Sequence, residues 1–462
     1  MGHDYYVVQG SDNVLPLLKQ RSLSGFLIHG LFLHRVFGLP KSAAQRYDED
    51  DSGEYTKPGV DSNVEPRNRM NHLTRRSFTS LLNGPGLTLL GKKLEGNLTG
   101  RLLSIHGDYG WTHGNNFLDI FETEVTSAVI DSICGPYLLR ESPDFTKDLW
   151  TVDHNVLNLI FRLPWFITSK AHAAQSRGLA AIKRWYAWAQ ENFDPGSVSP
   201  EGDDPYWGTT YFRELLAMFA AVDGFDATGV ASEVFAFIWG SNTNAIISAF
   251  WACLEVFRDP ELLEEIRREA TSCMIKQTGS DLRFDIPRLL QQPVMQAVFA
   301  ETLRLRIHGF VMRASTKNDI VINEWKIPKN QMVLMSSTPG HMSPSVWCSG
   351  PGESRPVETF WPGRFLHYSD KTHFLEFSMK KAQGAWMPFG GSHHPCPGRH
   401  FSKLEIILTI ALLTTTYDCE ILARPENLQM SPRNFGLGVL GPAKKVPFRI
   451  RRRGSFTTVS RV

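Results

Sequence analysis

Cys396 is the residue best placed for chemistry in this chain. It stands in Phe389-Gly390-Gly391-Ser392-His393-His394-Pro395-Cys396-Pro397-Gly398-Arg399, a loop rich in glycine and proline. The stretch after it, Phe401 to Leu413, reads as a largely buried helix. A cysteine just ahead of a helix faces unpaired backbone N–H groups and the positive end of the helix dipole, which favour a thiolate over a thiol. A thiolate can bind a soft metal. Gly390, Gly391 and Gly398 carry no Cβ, so a flat cofactor can approach the backbone closely. The plainer alternative is a buried, inert cysteine, the commoner case.

A second candidate lies upstream. Phe225 to Arg258 predicts one long helix, with Val230, Val234, Phe237, Ile238, Ile246, Phe250, Leu254 and Phe257 at helical spacing. Asp259 and Pro260 end it and begin the next helix, as N-cap and first position. In its middle, Gly240-Ser241-Asn242-Thr243-Asn244 is small and polar, a conflict with the core pattern of the kind that marks function. Thr243 and a local distortion of the helix are expected to hold a water chain for protons; a kink with satisfied polar groups is the alternative. A third candidate is Glu301 with Arg304, at i,i+3 on one face of a helix over 292–306. Most such pairs are surface salt bridges.

The elements that must position these residues follow in order. Residues 5–36 predict a strand and then short helices. Residues 41–68 predict a loop whose acidic run, Asp48 to Glu54, is solvated. Arg67 to Leu82 predicts a helix with His72 and Arg76 on one face. Amphipathic helices are expected over 115–142, 146–162 and 170–193, and Tyr211 to Ala221 closes the first half. Strands are expected over 307–335, and Asn434 to Ile450 predicts a hairpin.

Taken together and in order, these segments resemble the cytochrome P-450 family, over nearly the whole chain from residue 5 to about residue 450. Phe389, Gly390, Cys396, Gly398 and Arg399 match that family's haem-binding loop. Ser392 departs from a usual glycine, Pro395 is unusual before the cysteine, and His394 stands where an arginine often meets a haem propionate. Gly240 and Thr243 match the oxygen-activation motif, and Asn242 replaces its usual acid. That change, with Ala249-Phe250-Trp251 and the C-terminal segment, looks like the sterol 7α-hydroxylase and prostacyclin synthase branch, in a fungal-type member. Glu301, Arg304 and Arg364, the last in Phe360-Trp361-Pro362-Gly363-Arg364-Phe365, match a structural network beneath the haem. Arg313 matches a propionate-binding arginine, and His72 or Arg76 lies roughly where the third helix sends another.

The resemblance implies a mainly α fold with small β-sheets, the P-450 fold, as a single large haem domain over 1–462 with a long central helix. It lacks the N-terminal membrane anchor usual in eukaryotic members, and the chain is read as shortened at its start rather than naturally soluble. Haem b (iron protoporphyrin IX) is the implied cofactor, with Cys396 as the metal ligand. Thr243 and Asn242 are the implied catalytic residues. Electrons would come from NADPH through a separate flavin-containing reductase, docked near Lys380, Lys381 and Lys403. The substrate is expected to be lipophilic, sterol-, terpenoid- or other secondary-metabolite-like, because Phe235, Ile238, Trp239, Phe310, Val311 and Leu437 are expected to line its pocket. One oxygen atom of O2 would enter it. The implied location is the cytoplasmic face of the endoplasmic reticulum. Two alternatives stand beside this reading. One is an isomerase or dehydratase of the same fold, acting on a peroxide or similar substrate without a reductase; the other is a non-catalytic haem-binding protein.

Composition narrows the field. The 462 residues are 42% hydrophobic and 21% charged with formal net charge +2, an ordinary globular balance long enough for a large core. Near-neutral charge argues against nucleic acid as a partner. The six cysteines are scattered with no C-x-x-C pair, so neither a zinc site nor a disulfide framework is expected. No apolar run reaches the ~18–20 residues of a membrane-spanning helix; the nearest, Leu23 to Pro40, is broken by His29, His34 and Arg35.

Overall fold

The computed structural model describes the chain apart from residues 1–4, 21, 26–28, 55–56, 106–108, 279–280, 316–317, 349–354, 383, 392–393 and 455–462. Helices dominate, and small sheets sit at the edges. The organising element is the helix Ala227–Arg258, capped by Asp226, whose carboxylate accepts from the N–H groups of Thr228 and Gly229. It is apolar nearly all round because other helices cover it on several sides. Its most extensive partner is Arg399–Thr416, the helix that follows Cys396. Asp259 caps the next helix, Pro260–Ser272, as expected.

The main sheet joins Tyr5–Val8, Met332–Ser336, Ile307–Ser315 and Leu437–Val439 in that order, with Leu23–Ser24 also on the long strand. Tyr5–Val8 pairs parallel to Met332–Ser336, and the other pairings are antiparallel. The C-terminal segment is not the hairpin expected from sequence. Leu437–Val439 pairs with Ile307 to Gly309, whereas Phe448–Arg452 pairs with Tyr417–Ile421 and with Thr112–Gly114. The turn residues between them read alike in either arrangement, and partners distant in sequence decide it.

The 41–68 region also differs from the expectation. Lys41–Glu49 is helical. Within the acidic run Asp48, Glu49 and Asp51 are exposed as expected, but two acids are used: Asp50 Oδ2 accepts from Asn71 N at 2.6 Å, and the Glu54 side chain is buried against the Cys396 loop. The helix Met70–Leu82 then runs beside that loop. Among the described residues, no helix is long and apolar enough to cross a membrane.

Candidate functional site

The Cys396 loop is closed by its own backbone. Cys396 N donates to Phe389 O at 2.9 Å, and Arg399 Nη1 reaches Cys396 O at 3.2 Å. Phe389 is held from behind by the rings of Phe299 (6.4 Å) and Trp386 (6.2 Å). Gly390 has φ 69°, a left-handed conformation that only glycine takes without strain. Gly398 is the N-cap of the helix Arg399–Thr416, with no side-chain cap. The N–H groups of Gly398 and Arg399 face the sulfur, and Arg399 and Arg75 lie near; all favour the thiolate. Burial outweighs them, and the thiol pKa is raised rather than lowered. The helix terminus therefore acts in the expected direction but is the smaller effect, because desolvation penalises the charged form. A coordinated cation reverses that balance, since a thiol bound to a metal is deprotonated outright. Among the described residues, Cys396 is nevertheless the one exposed cysteine.

Cations rim this loop. Arg313 Nη2 donates to His394 O at 3.1 Å, and Arg75 Nη1 donates to Pro395 O at 3.1 Å. It is Arg75, not Arg76, that turns to the loop; Arg76 is exposed and His72 is buried in its helix. His394 is buried, with Nδ1 3.7 Å from Glu54 Oε2. The other Glu54 oxygen accepts from Ser24 Oγ (2.7 Å) and Gly25 N (2.8 Å). Ser392 lies outside the described residues.

The central helix runs unbroken through Gly240–Asn244, so the expected distortion is absent from its backbone. A Cβ on Gly240 would meet nothing within 4 Å, and Gly240 and Asn244 are exposed in mid-helix, between turns that are otherwise buried. Thr243 lines a cavity with Trp239, Asn244, Ile247 and Leu437. Ser232 and Ser248 in this helix bond back to the carbonyl four residues earlier. Thr243 makes no such bond. Asn242 does not share its cavity: the side chain is fully buried, Nδ2 donates to Ile238 O at 2.8 Å, and Oδ1 has no partner among the described residues.

Of the expected pocket residues, Trp239 and Leu437 line that cavity. Phe235 and Ile238 do not. Phe235 is fully buried against Gly178, Phe37 and Phe145, and Ile238 is a core residue, because the helix presents its other face to the neighbouring helices. Phe310 packs on Gly436 and Phe435, and Val311 lies under Gly390. Nor is the cavity purely apolar. Asp153, His154, Glu122 and Arg433 line it as well. Asp153 is 7% exposed and accepts from Trp239 Nε1 at 2.8 Å; burial pushes its pKa up to about 6. His154 Nε2 lies 3.4 Å from Glu122 Oε1, and that carboxylate raises the imidazole pKa. No pattern in the sequence marks this group, since isolated acids in amphipathic helices read as exposed.

Glu301, Arg304 and Arg364 are brought together in one buried network. Arg304 Nε and Nη2 grip the two Glu301 oxygens at 2.7 and 2.9 Å, and Arg364 Nε reaches Oε1 at 3.2 Å. The remaining guanidinium hydrogens go to carbonyls: Arg304 to His341 and Val357, Arg364 to Trp347 and Pro356. Sequence reasoning also missed Glu405, on the helix after Cys396. It is 1% exposed, neither oxygen has a partner among the described residues, and burial raises its pKa well above the carboxylate range. Its signal was a lone acid within an apolar helix. On the expected reductase face, Lys380 is exposed, whereas Lys403 Nζ is engaged by Gln296 Oε1 at 2.8 Å. The Lys381 side chain lies outside the described residues.

Haem suits this donor set. It needs one open sulfur, backbone that a flat ring can approach, and cations for two carboxylates. Cys396, the glycines of its loop and the cations Arg75 and Arg313 supply these, and the open space beside Gly240 supplies room. The comparisons with known proteins agree. The family model for cytochrome P-450 matches residues 197–447. A cytochrome P-450 monooxygenase of Humicola fuscoatra is 29% identical over 477 residues, covering 97% of this chain and 79% of that protein. One of Hormonema carpetanum is 28% identical over 478 residues, covering 97% and 82%. The 7-alpha-hydroxycholest-4-en-3-one 12-alpha-hydroxylase of Homo sapiens is 27% identical over 240 residues, 47% of this chain and 44% of that one. Among solved structures, retinoic acid bound cyanobacterial CYP120A1 superposes with a TM-score of 0.66 at 18% identity, covering 98% and 90%. With the fold, the thiol loop and the sequence likeness all in register, the chain belongs to the cytochrome P-450 family, among its monooxygenases.

Proposed function

We propose that residues 1–462 form one catalytic domain that inserts an oxygen atom from O2 into a lipophilic substrate, with electrons from NADPH through a separate flavin reductase. Cys396 would hold the haem iron, and Arg75, Arg313 and His394 would meet the haem carboxylates. When bound, haem supplies the metal at which dioxygen is reduced. The chain's own part is to seat the ring, to keep bulk water out and to hold protons at the distal side. The buried network of Glu301, Arg304 and Arg364 would keep the segment beneath the Cys396 loop in place.

The observation that carries the reading is the Thr243 hydroxyl. It lines the cavity and is not bonded back to its own helix. A hydroxyl both donates and accepts, so it can fix a water and pass a proton on. Asn242 is proposed only as a support for that turn, since its amide bonds to Ile238 O. An isomerase of this fold has no need of such a hydroxyl. The test is Thr243→Ala in the haem-loaded protein with a suitable reductase. Haem content should stay normal, while product formed per NADPH consumed falls and hydrogen peroxide rises. An unchanged ratio would favour the isomerase reading.

The proposed location is a membrane surface, at the cytoplasmic face of the endoplasmic reticulum. Phe161, Trp165, Phe166 and Ile167 form one run and are 70%, 74%, 70% and 49% exposed, beside Arg162 and Lys170. Exposed aromatic residues flanked by cations suit a lipid–water interface.

A further inference from the structure

We infer that Asp153, with His154, Glu122 and Arg433 around it, recognises a hydroxyl group on an otherwise apolar substrate, a reading that rests on the monooxygenase function proposed above. One cavity holds both Thr243 and Asp153 on its wall. Thr243 lies at one place on its wall and Asp153 at another, with Trp239 between them. Trp239 is one helical turn before Thr243 and donates its indole N–H to Asp153 Oδ1 at 2.8 Å. Leu118, Ile247 and Leu437 line the same space. A bound molecule therefore meets apolar side chains and a charged group in the same space.

Asp153 is the built part of this site. It is 93% buried by the complement of its 7% exposure, and only one of its oxygens has a hydrogen-bond partner among the described residues. A buried carboxylate with a spare acceptor is costly unless a donor arrives. The surrounding charges select the donor. A substrate carboxylate would face Asp153 and Glu122, and a substrate cation would face Arg433 and the imidazole of His154. A hydroxyl avoids both conflicts, because it donates to Asp153 and can accept from His154 or Arg433. The backbone is also unusual here. Glu122, which pairs with His154, sits on a π-helical turn, Phe121–Val125, and such turns are frequent at functional sites.

The rival explanation is that Asp153 exists only to hold the Trp239 indole. Asp153→Asn separates the two. An asparagine oxygen can still accept from Trp239, while the cavity-facing atom changes from an acceptor to an amide donor. The assay is the shift of the haem Soret band on titrating the haem-loaded full chain. The probes are steroid and terpenoid alcohols, each alongside its ketone and its parent hydrocarbon. The wild-type protein should bind alcohols at least ten-fold more tightly than the matched hydrocarbons. Wild type should also favour alcohols over the matched ketones, and in Asp153→Asn, whose amide can donate to either oxygen, that preference should be lost. Hydrocarbons binding as well as alcohols, an unaltered preference in the variant, or no alcohol binding to a protein with an intact haem-thiolate spectrum would each overturn the inference. Failure of the haem-thiolate spectrum itself would instead overturn the function on which it rests.

Discussion

Replacing Glu301 should remove the keystone of the segment beneath Cys396. The carboxylate is fully buried, and so is Arg304, while Arg364 is 2% exposed at its side chain. Glu301 accepts two bonds from Arg304, one from Arg364 and one from Trp361 N at 3.0 Å. Two guanidinium charges thus share one carboxylate, and their other hydrogens are already committed to carbonyls. Glu301→Ala leaves both cations buried without a counter-charge, a loss of about 3–5 kcal/mol for breaking a buried pair. Unfolding entropy of about 2.1 cal/mol/K per residue gives roughly 1 kcal/mol/K over 462 residues. The melting temperature should therefore fall by about 3–5 °C if the chain unfolds as one unit. Glu301→Gln keeps an acceptor oxygen and loses the charge, so its fall should be smaller, roughly half. The assay is differential scanning calorimetry, with the haem-to-protein ratio measured in parallel. A melting temperature within 1 °C of wild type in Glu301→Ala would refute the reasoning, because no buried charge would then have been left unpaired.

Three further outcomes are expected. Cys396→Ser should lose the thiolate spectrum of the reduced, carbon monoxide-treated protein; its survival would dismiss Cys396 as the ligand. Arg75→Ala should lower the haem retained through purification, measured as haem per protein, while the fold by circular dichroism stays the same; full retention would show that Arg75 serves only the Pro395 carbonyl. Glu405→Gln should spare the haem-free protein a loss of stability that wild type suffers as pH rises. Its carboxyl pKa is raised by burial, so the folded chain holds a proton that the unfolded chain loses above pH 4.5, and stability is lost as pH climbs. The variant should match wild type near pH 4.5 and melt higher at pH 7; a lower melting temperature at both would mean that the acid has a partner worth keeping.

What was legible in the sequence was whatever the chain encodes locally. The Cys396 loop carries its conformation in its glycines: Gly390 takes a positive φ, and Gly398 opens the next helix. The long helix was plain from its apolar period and from Asp259-Pro260, because both act through neighbours in sequence. What stayed hidden was orientation and partnership across the fold. Phe235 and Ile238 share the helix of Thr243, but the face each shows is set by the helices packed on it, so two apolar residues expected in the pocket are core. Arg75 and Arg76 are equally basic, and only the placement of the helix beside the loop decides which reaches Pro395. Glu54 read as one charge in a solvated run, yet it closes on Ser24, Gly25 and His394.

The cavity is less greasy than the sequence suggests for the same physical cause. Apolar residues announce themselves by period, and a buried acid does not, since its type is that of a surface residue. Asp153 ends the helix Phe145–Asp153, where an acid would ordinarily be solvated. Here the central helix crosses close by and covers it with Trp239. Burial of a polar group is tolerated when its bonds are met, and one oxygen of Asp153 is met by the indole while the other opens on the cavity of Thr243. Glu301, by contrast, has both oxygens engaged by Arg304. The contrast between these two acids, one saturated and one half-used, separates a residue that holds the fold from one that waits for a ligand.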